Sequence, residues 1–209
     1  MNLFYEMFLK SMGCGVRYEE LPPGFLEKYR DILPKGLLDF WQDEGWSSYA
    51  DGLLWTINPE EYSWLVEEWV DTSPEVPPLT YYAFARNAYG EFYCLSPNAS
   101  CILTISCPTG LLIASKKLKK NPRNECEQAV QSFFAMGSKK RFDLSDTNGT
   151  PMFPAALKKL GPVGVNEVYG FVPLITLGGE TEVTYLEKVR MDVHIDILRQ
   201  TMNPILQLL

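Results

Sequence analysis

The chain has 209 residues, 46% of them apolar and 22% charged, a composition that excludes a disordered chain and allows one generous core or two small ones. Its net charge of -7 is uneven, because residues 1–78 carry 5 Lys and Arg against 15 Asp and Glu, whereas residues 79–209 carry 14 against 11. A field of that sign repels nucleic acid phosphate and attracts basic partners, so direct nucleic acid binding is not expected.

Met1 to Met12 is partly apolar but holds Glu6 and lacks a basic start and a small-residue cleavage site, so it does not read as a signal peptide. Gly24 to Ile32, after Pro22-Pro23, and Pro34 to Glu44, with Leu37, Leu38 and Trp41 at helical spacing, predict two short helices. Gly52 to Ile57 reads as a buried strand. Asn58-Pro59-Glu60-Glu61 then has the cap, the first-position proline and the first-turn acids of a helix running to about Val70. The proline-rich segment Asp71 to Pro78 predicts a surface loop.

From Leu79 the pattern changes to short β-type runs, Thr80 to Ala85, Glu91 to Leu95, Cys101 to Ser106 and Leu111 to Ser115, which predict an antiparallel meander. Helices are predicted at Asn124 to Met136 and Pro154 to Leu160. An apolar stretch follows at Val168 to Leu177, then a Gly178-Gly179 turn. A long helix is predicted from Thr184 to about Gln200, with Leu186, Val189, Val193 and Ile197 on one face. The expected fold class is α+β: N-terminal helices packed with an antiparallel sheet, followed by a smaller, mainly helical C-terminal part. The expected division is residues 1–120 and 121–209. No apolar run approaches the ~20 residues of a membrane-spanning helix, and no membrane partner is expected.

Few residues offer chemistry. His194 is the only histidine; it lies between Asp192 and Asp196 on a predicted helix and reads as a partly buried structural residue. Cys14, Cys94, Cys101, Cys107 and Cys126 are odd in number and form no CxxC pair, which points to reduced thiols, a cytoplasmic location and no zinc site. Gly161-Pro162-Val163-Gly164 and Gly178-Gly179-Glu180 lack the frames of phosphate loops and read as turns. The basic run Lys116 to Arg123, with Lys139-Lys140-Arg141, lacks aromatics to stack bases and reads as a solvated loop. No catalytic residue, cofactor or metal is expected.

The helix predicted after Asn58 is more informative. At 100° per residue, Tyr62, Leu65, Val66 and Trp69 form an apolar stripe, while Glu60, Trp64, Glu67, Glu68 and Asp71 lie opposite. A tryptophan among acids has the composition of a protein-binding anchor with a charged rim. Packing of Trp64 against another helix or the following loop is the alternative.

Several strings carry a family resemblance. The first half has Tyr29-Arg30-Asp31-Ile32-Leu33-Pro34, Leu38-Asp39-Phe40-Trp41, Gly45-Trp46, Tyr49 to Trp55 and Asn58 to Tyr62. The second has Ala156 to Pro162, Glu167 to Pro173, Leu177-Gly178-Gly179 and Val193-His194-Ile195. In these the chain resembles the immunity proteins of type VI secretion DNase effectors, which join an N-terminal GAD-like domain to a C-terminal Tdi-type domain. The resemblance implies a non-enzymatic antitoxin that binds a cognate toxin domain in the cytoplasm and blocks its active site or its DNA access. A basic nuclease, bound 1:1, matches the acidic charge. Glu60, Trp64, Glu67, Glu68 and Asp71 are the residues expected to meet it. The alternatives are a regulatory interaction module unconnected with toxins, and a small-molecule-binding domain with a cleft between the two halves.

Overall fold

In the computed structural model, which describes residues 3–71, 76, 79–97, 101–114 and 122–208, helix α1 (Leu3–Met12) and strand β1 (Val16–Glu19) lead into helices α2 (Phe25–Tyr29) and α3 (Lys35–Glu44). Strands β2 (Trp46–Tyr49) and β3 (Leu54–Thr56) follow, then α4 (Ser63–Val66), which passes directly into a π turn over Glu67–Asp71. The predicted meander is present as β4 (Tyr82–Asn87), β5 (Glu91–Ser96), β6 (Cys101–Ser106) and β7 (Leu111–Ala114). After it come α5 (Pro122–Ala135), α6 (Lys139–Phe142), α7 (Phe153–Leu160), the hairpin strands β8 (Glu167–Phe171) and β9 (Leu186–Arg190), α8 (Met191–Thr201) and β10 (Ile205–Leu208). The fold is α+β. The proline loop Asp71–Pro78 falls largely outside the described residues, as does most of the basic run from Lys116.

Eight strands form one sheet in the order β1-β2-β3-β4-β5-β6-β7-β10, every pairing antiparallel except β7 with β10; β8 and β9 form a separate pair. Alternation along β5 sets the two layers, since neighbouring residues on a strand point to opposite faces. Tyr93 meets Phe133 of α5 and Phe142 of α6, while Phe92 meets Tyr62 beside α4, with ring centroids 5.5 Å apart. On the Tyr93 side α1, α3 and α5 pack as a helical layer through Tyr5, Phe8, Phe40 and Phe134. Aromatic edges and faces in that arrangement add to the area they bury.

The C-terminal segment is stitched to the N-terminal sheet at both ends. Near one end Phe133 packs on Phe84 of β4; at the other, β10 lies in register beside β7 from Ile205↔Leu111 to Leu208↔Ala114. Between them, the Tyr169 amide of β8 donates to the Ala88 carbonyl of the β4–β5 turn at 2.8 Å. One continuous cluster of buried apolar residues results, running from Tyr5 to Leu198.

Three expectations need correction. The helix from Asn58 to Val70 is a turn through residues 58–62, one turn of α-helix and a π turn, because Asn58 Oδ1 accepts from the Glu60 amide (3.1 Å) and closes a tight bend at Pro59. The helix from Thr184 to Gln200 is strand β9 followed by α8. Leu186 is buried in the β8–β9 pair, whereas Val193 and Ile197 of α8 are 48% and 44% exposed, and the inward face of that helix is Met191, His194, Ile195 and Leu198. The strand expected at Gly52 to Ile57 is shorter, since residues 50–53 form a turn with positive φ at Ala50, Asp51 and Gly52.

Two glycines explain their strings. A Cβ at Gly170 would lie 2.6 Å from His194 Nε2, and one at Gly179 would lie 2.1 Å from the Pro173 carbonyl oxygen. Both are places where backbone and neighbour approach too closely for any side chain.

Candidate functional site

The bend at Asn58 and Pro59 swings the chain so that α4 lies over the Phe92 side of the sheet. Tyr62, Leu65, Val66 and Trp69 are buried there, the apolar stripe expected of them, and Trp69 is wholly enclosed. Trp64 is 38% exposed and makes no ring contact among the described residues. The side of the segment that carries it is acidic and faces solvent.

The π turn changes how the acids are distributed. A π turn spreads five residues over one loop of chain, which shifts the angular phase of everything after it. Glu60 and Glu67, on either side of α4, line one cleft of about 600 Å³ together with Lys28, Ser63, Thr80 and Tyr82. Glu60 is bound within it: Lys28 Nζ lies 2.7 Å from Oε1 and the Tyr29 hydroxyl donates to the same oxygen at 3.1 Å. The Lys28 ammonium accordingly holds the Glu60 carboxyl below the usual carboxylate range, against a smaller opposing effect of burial. Glu67 is exposed and has no ion pair among the described residues.

Glu68 is turned away from them. It is half-buried, its backbone carbonyl accepts from Arg199 Nε of α8 at 3.1 Å, and it lines a different cleft, of about 450 Å³, with residues 199–203. The side chain of Asp71 lies outside the described residues. The structure thus brings Glu60 and Glu67 to one cleft, leaves Trp64 exposed outside the lining of that cleft, and places Glu68 in a different cleft beside α8.

Sequence reasoning missed the buried polar seam on β4. Arg86 is fully enclosed, yet has no carboxylate partner among the described residues. Its guanidinium donates to the carbonyls of Val165 (2.8 Å), Gly164 (3.3 Å) and Asn87 (3.3 Å) and sits 4.7 Å from the ring centroid of Trp55. Burial lowers its pKa, and the Tyr62 and Tyr18 phenols oppose that shift. Next to it, Asn87 Nδ2 donates to the Phe142 carbonyl (3.1 Å), and the Tyr89 hydroxyl donates to Asp143 (2.8 Å). These bonds join the β4–β5 hairpin to the loops around α6 and before β8. Nothing in the run around Ala85 marks Arg86 as interior, since arginine is ordinarily a surface signal.

His194 is 8% exposed and packs against Gly170, and burial lowers its pKa. Among the described residues no group of three or more His, Cys, Asp or Glu is placed to hold a metal ion, and no helix is long and apolar enough to cross a membrane.

These features define an α+β protein whose candidate site is the exposed, acid-bearing side of the segment that carries Trp64, mounted on a sheet that both halves of the chain complete. The chain belongs to the GAD-like domain family, which it matches over residues 3–109. Residues 127–202 match the C-terminal domain of the T6SS immunity protein Tdi1, and the two matches together support an immunity-protein role with a toxin as partner. Among solved structures, the crystal structure of Atu4351 from Agrobacterium tumefaciens is similar over 98% of this chain and 92% of its own, with a TM-score of 0.87 and 22% identity. At that identity the likeness concerns the fold. No curated protein matches the chain.

Proposed function

We propose that this protein neutralises a DNA-degrading toxin of a type VI secretion system by holding the toxin domain in a 1:1 complex in the cytoplasm, with no turnover of its own and no direct contact with nucleic acid. The observation that carries the binding surface is Trp64: the stripe Tyr62, Leu65, Val66 and Trp69 already fills the core, and Trp64 stands exposed on the segment that also carries Glu60 and Glu67. An aromatic anchor with a charged rim concentrates binding energy at its centre and steers a partner at its edge. A nuclease binds a polyanion and so presents basic groups; acids on the inhibitor engage those groups and deny them to DNA. Glu68 extends the surface towards α8, and Asp71 follows it in the chain as the last acid of the proposed surface.

Co-expression with a nuclease encoded beside it tests the reading. Cells making the nuclease grow only when this protein is present, and the two co-purify at equal stoichiometry. Growth arrest that the protein does not relieve, or relief without a complex, sinks the proposal. Purified alone, the protein leaves plasmid DNA intact and does not retard it on a gel; cleavage or retardation counts against the non-enzymatic, DNA-free part.

A further inference from the structure

On the helical layer, away from Trp64, a cleft of about 610 Å³ opens between α1, α3 and α5. Its walls carry Asp39 and Asp43 from one side of α3 and Glu127 from α5, with Lys35 at the rim. Tyr5 lines it too, and the Tyr5 side chain is 1% exposed with a hydroxyl that has no hydrogen-bond partner among the described residues. A buried polar atom without a partner is costly to keep, and this one lies on the wall of a cleft. The Tyr5 ring cannot swing away, because it stacks on Phe40 at 4.7 Å and meets Phe134 edge-on at 5.1 Å.

We infer that this cleft receives the arginine side chain of a basic protein partner; the partner's identity as a toxin rests on the function proposed above, whereas the cleft does not. The charges select a cation. Glu127 is held in place by the Gly36 amide (3.0 Å) and Gln131 (2.9 Å), which fixes a carboxylate at the cleft without neutralising it. Asp43 has no ion pair among the described residues, and the cation on Asp39 is the highly exposed Lys35, a partner that solvent or a ligand displaces readily. Among the described residues the acids do not converge closely enough to hold a metal ion. A guanidinium suits acceptors carried on different helices, since its planar fork donates in several fixed directions at once, to separated carboxylates and to the phenol oxygen, where an ammonium presents a point charge.

The test is a nuclear magnetic resonance titration of the full chain at low salt with L-arginine amide, L-lysine amide and L-norleucine amide. Arginine amide shifts the Gly36 and Glu127 amides saturably, lysine amide binds several-fold more weakly, and norleucine amide produces no saturable shift. Tyr5→Phe, which keeps the stacked ring, lowers the arginine affinity by about 3- to 10-fold, the worth of one hydrogen bond, without lowering the melting temperature. The exposed pair Asp39→Asn with Asp43→Asn, which leaves the core untouched, abolishes saturation. Equal shifts from arginine and lysine amides that survive Tyr5→Phe mean diffuse charge attraction and overturn the inference, as does the absence of any saturable shift. A chain that protects no cell yet binds arginine amide refutes the immunity role and keeps the cleft; protection by a chain whose cleft is inert does the reverse.

Discussion

Around Arg86 the polar atoms face one another, and around Trp64 they face solvent. In the first region an arginine, an asparagine and a tyrosine deep in the molecule are bonded to carbonyls and to Asp143 from the C-terminal half. In the second, the acid-bearing segment leaves the ring of Trp64 38% exposed. The contrast separates two uses of polarity: inside, it specifies how the halves meet; outside, it is available to another molecule. Trp69 and Trp64 make the same point on one segment, the first wholly enclosed and the second not.

Substitutions that exchange the two behaviours test the comparison. Trp69→Ala has the largest effect, a loss of about 3–5 kcal/mol of stability, read from chemical denaturation. Arg86→Ala follows at about 3 kcal/mol, because the Gly164 and Val165 carbonyls lose their donor in a dry seam; a variant as stable as wild type shows that the seam is dispensable. Trp64→Ala costs under about 1 kcal/mol of stability yet weakens toxin binding by about 2 kcal/mol, measured by calorimetry. A sharp drop in melting temperature with binding intact instead makes Trp64 a packing residue. Reversing Glu67 to Lys slows association by a few-fold at low salt and much less at high salt, where charges are screened over ~8–10 Å.

The smallest effect is one of pH. Burial lowers the His194 pKa below its ordinary 6.5, so under acid the unfolded chain takes up a proton that the folded chain resists. This contribution to stability is complete above about pH 7 and declines as the pH falls through 6.5 towards 5. Burial raises the pKa of Glu91 and Asp143, which acts in the opposite sense at lower pH. The readout is therefore the difference between wild type and His194→Gln: superimposable stability profiles from pH 7 to 5 remove the effect.

Local pattern was enough for the parts of this fold that are local. The meander was legible because Tyr89-Gly90 and Pro108-Thr109-Gly110 punctuate runs of β-formers, and the buried stripe of α4 because its spacing survives the short helix. Pairings made at a distance left no local mark. In the segment read as one long helix, Leu186 and Val189 stand three apart as they would on a helix, and only hydrogen bonds to β8 make them strand. β1, β2 and β10 went unpredicted, since four-residue edge and near-edge strands carry too little alternation to declare themselves. The same limit applies to the site. Exposure of Trp64 followed from angular position, but the contact of Glu68 with Arg199, made through the Glu68 carbonyl, joins residues 131 apart and a fixed 100° step does not anticipate it.

The return of the C-terminal segment to the sheet has an evolutionary consequence. Because β10 lies against β7 and α5 against α1 and α3, a recombination that exchanged only the C-terminal part between relatives would transplant a sheet edge and a helix face cut to fit another protein. A part exchanged in that way would need compensating changes along β7, α1 and α3 to fit. Outward positions such as Trp64, Glu67 and the exposed side of α3 take no part in that join, so point changes there leave the fit between the halves intact.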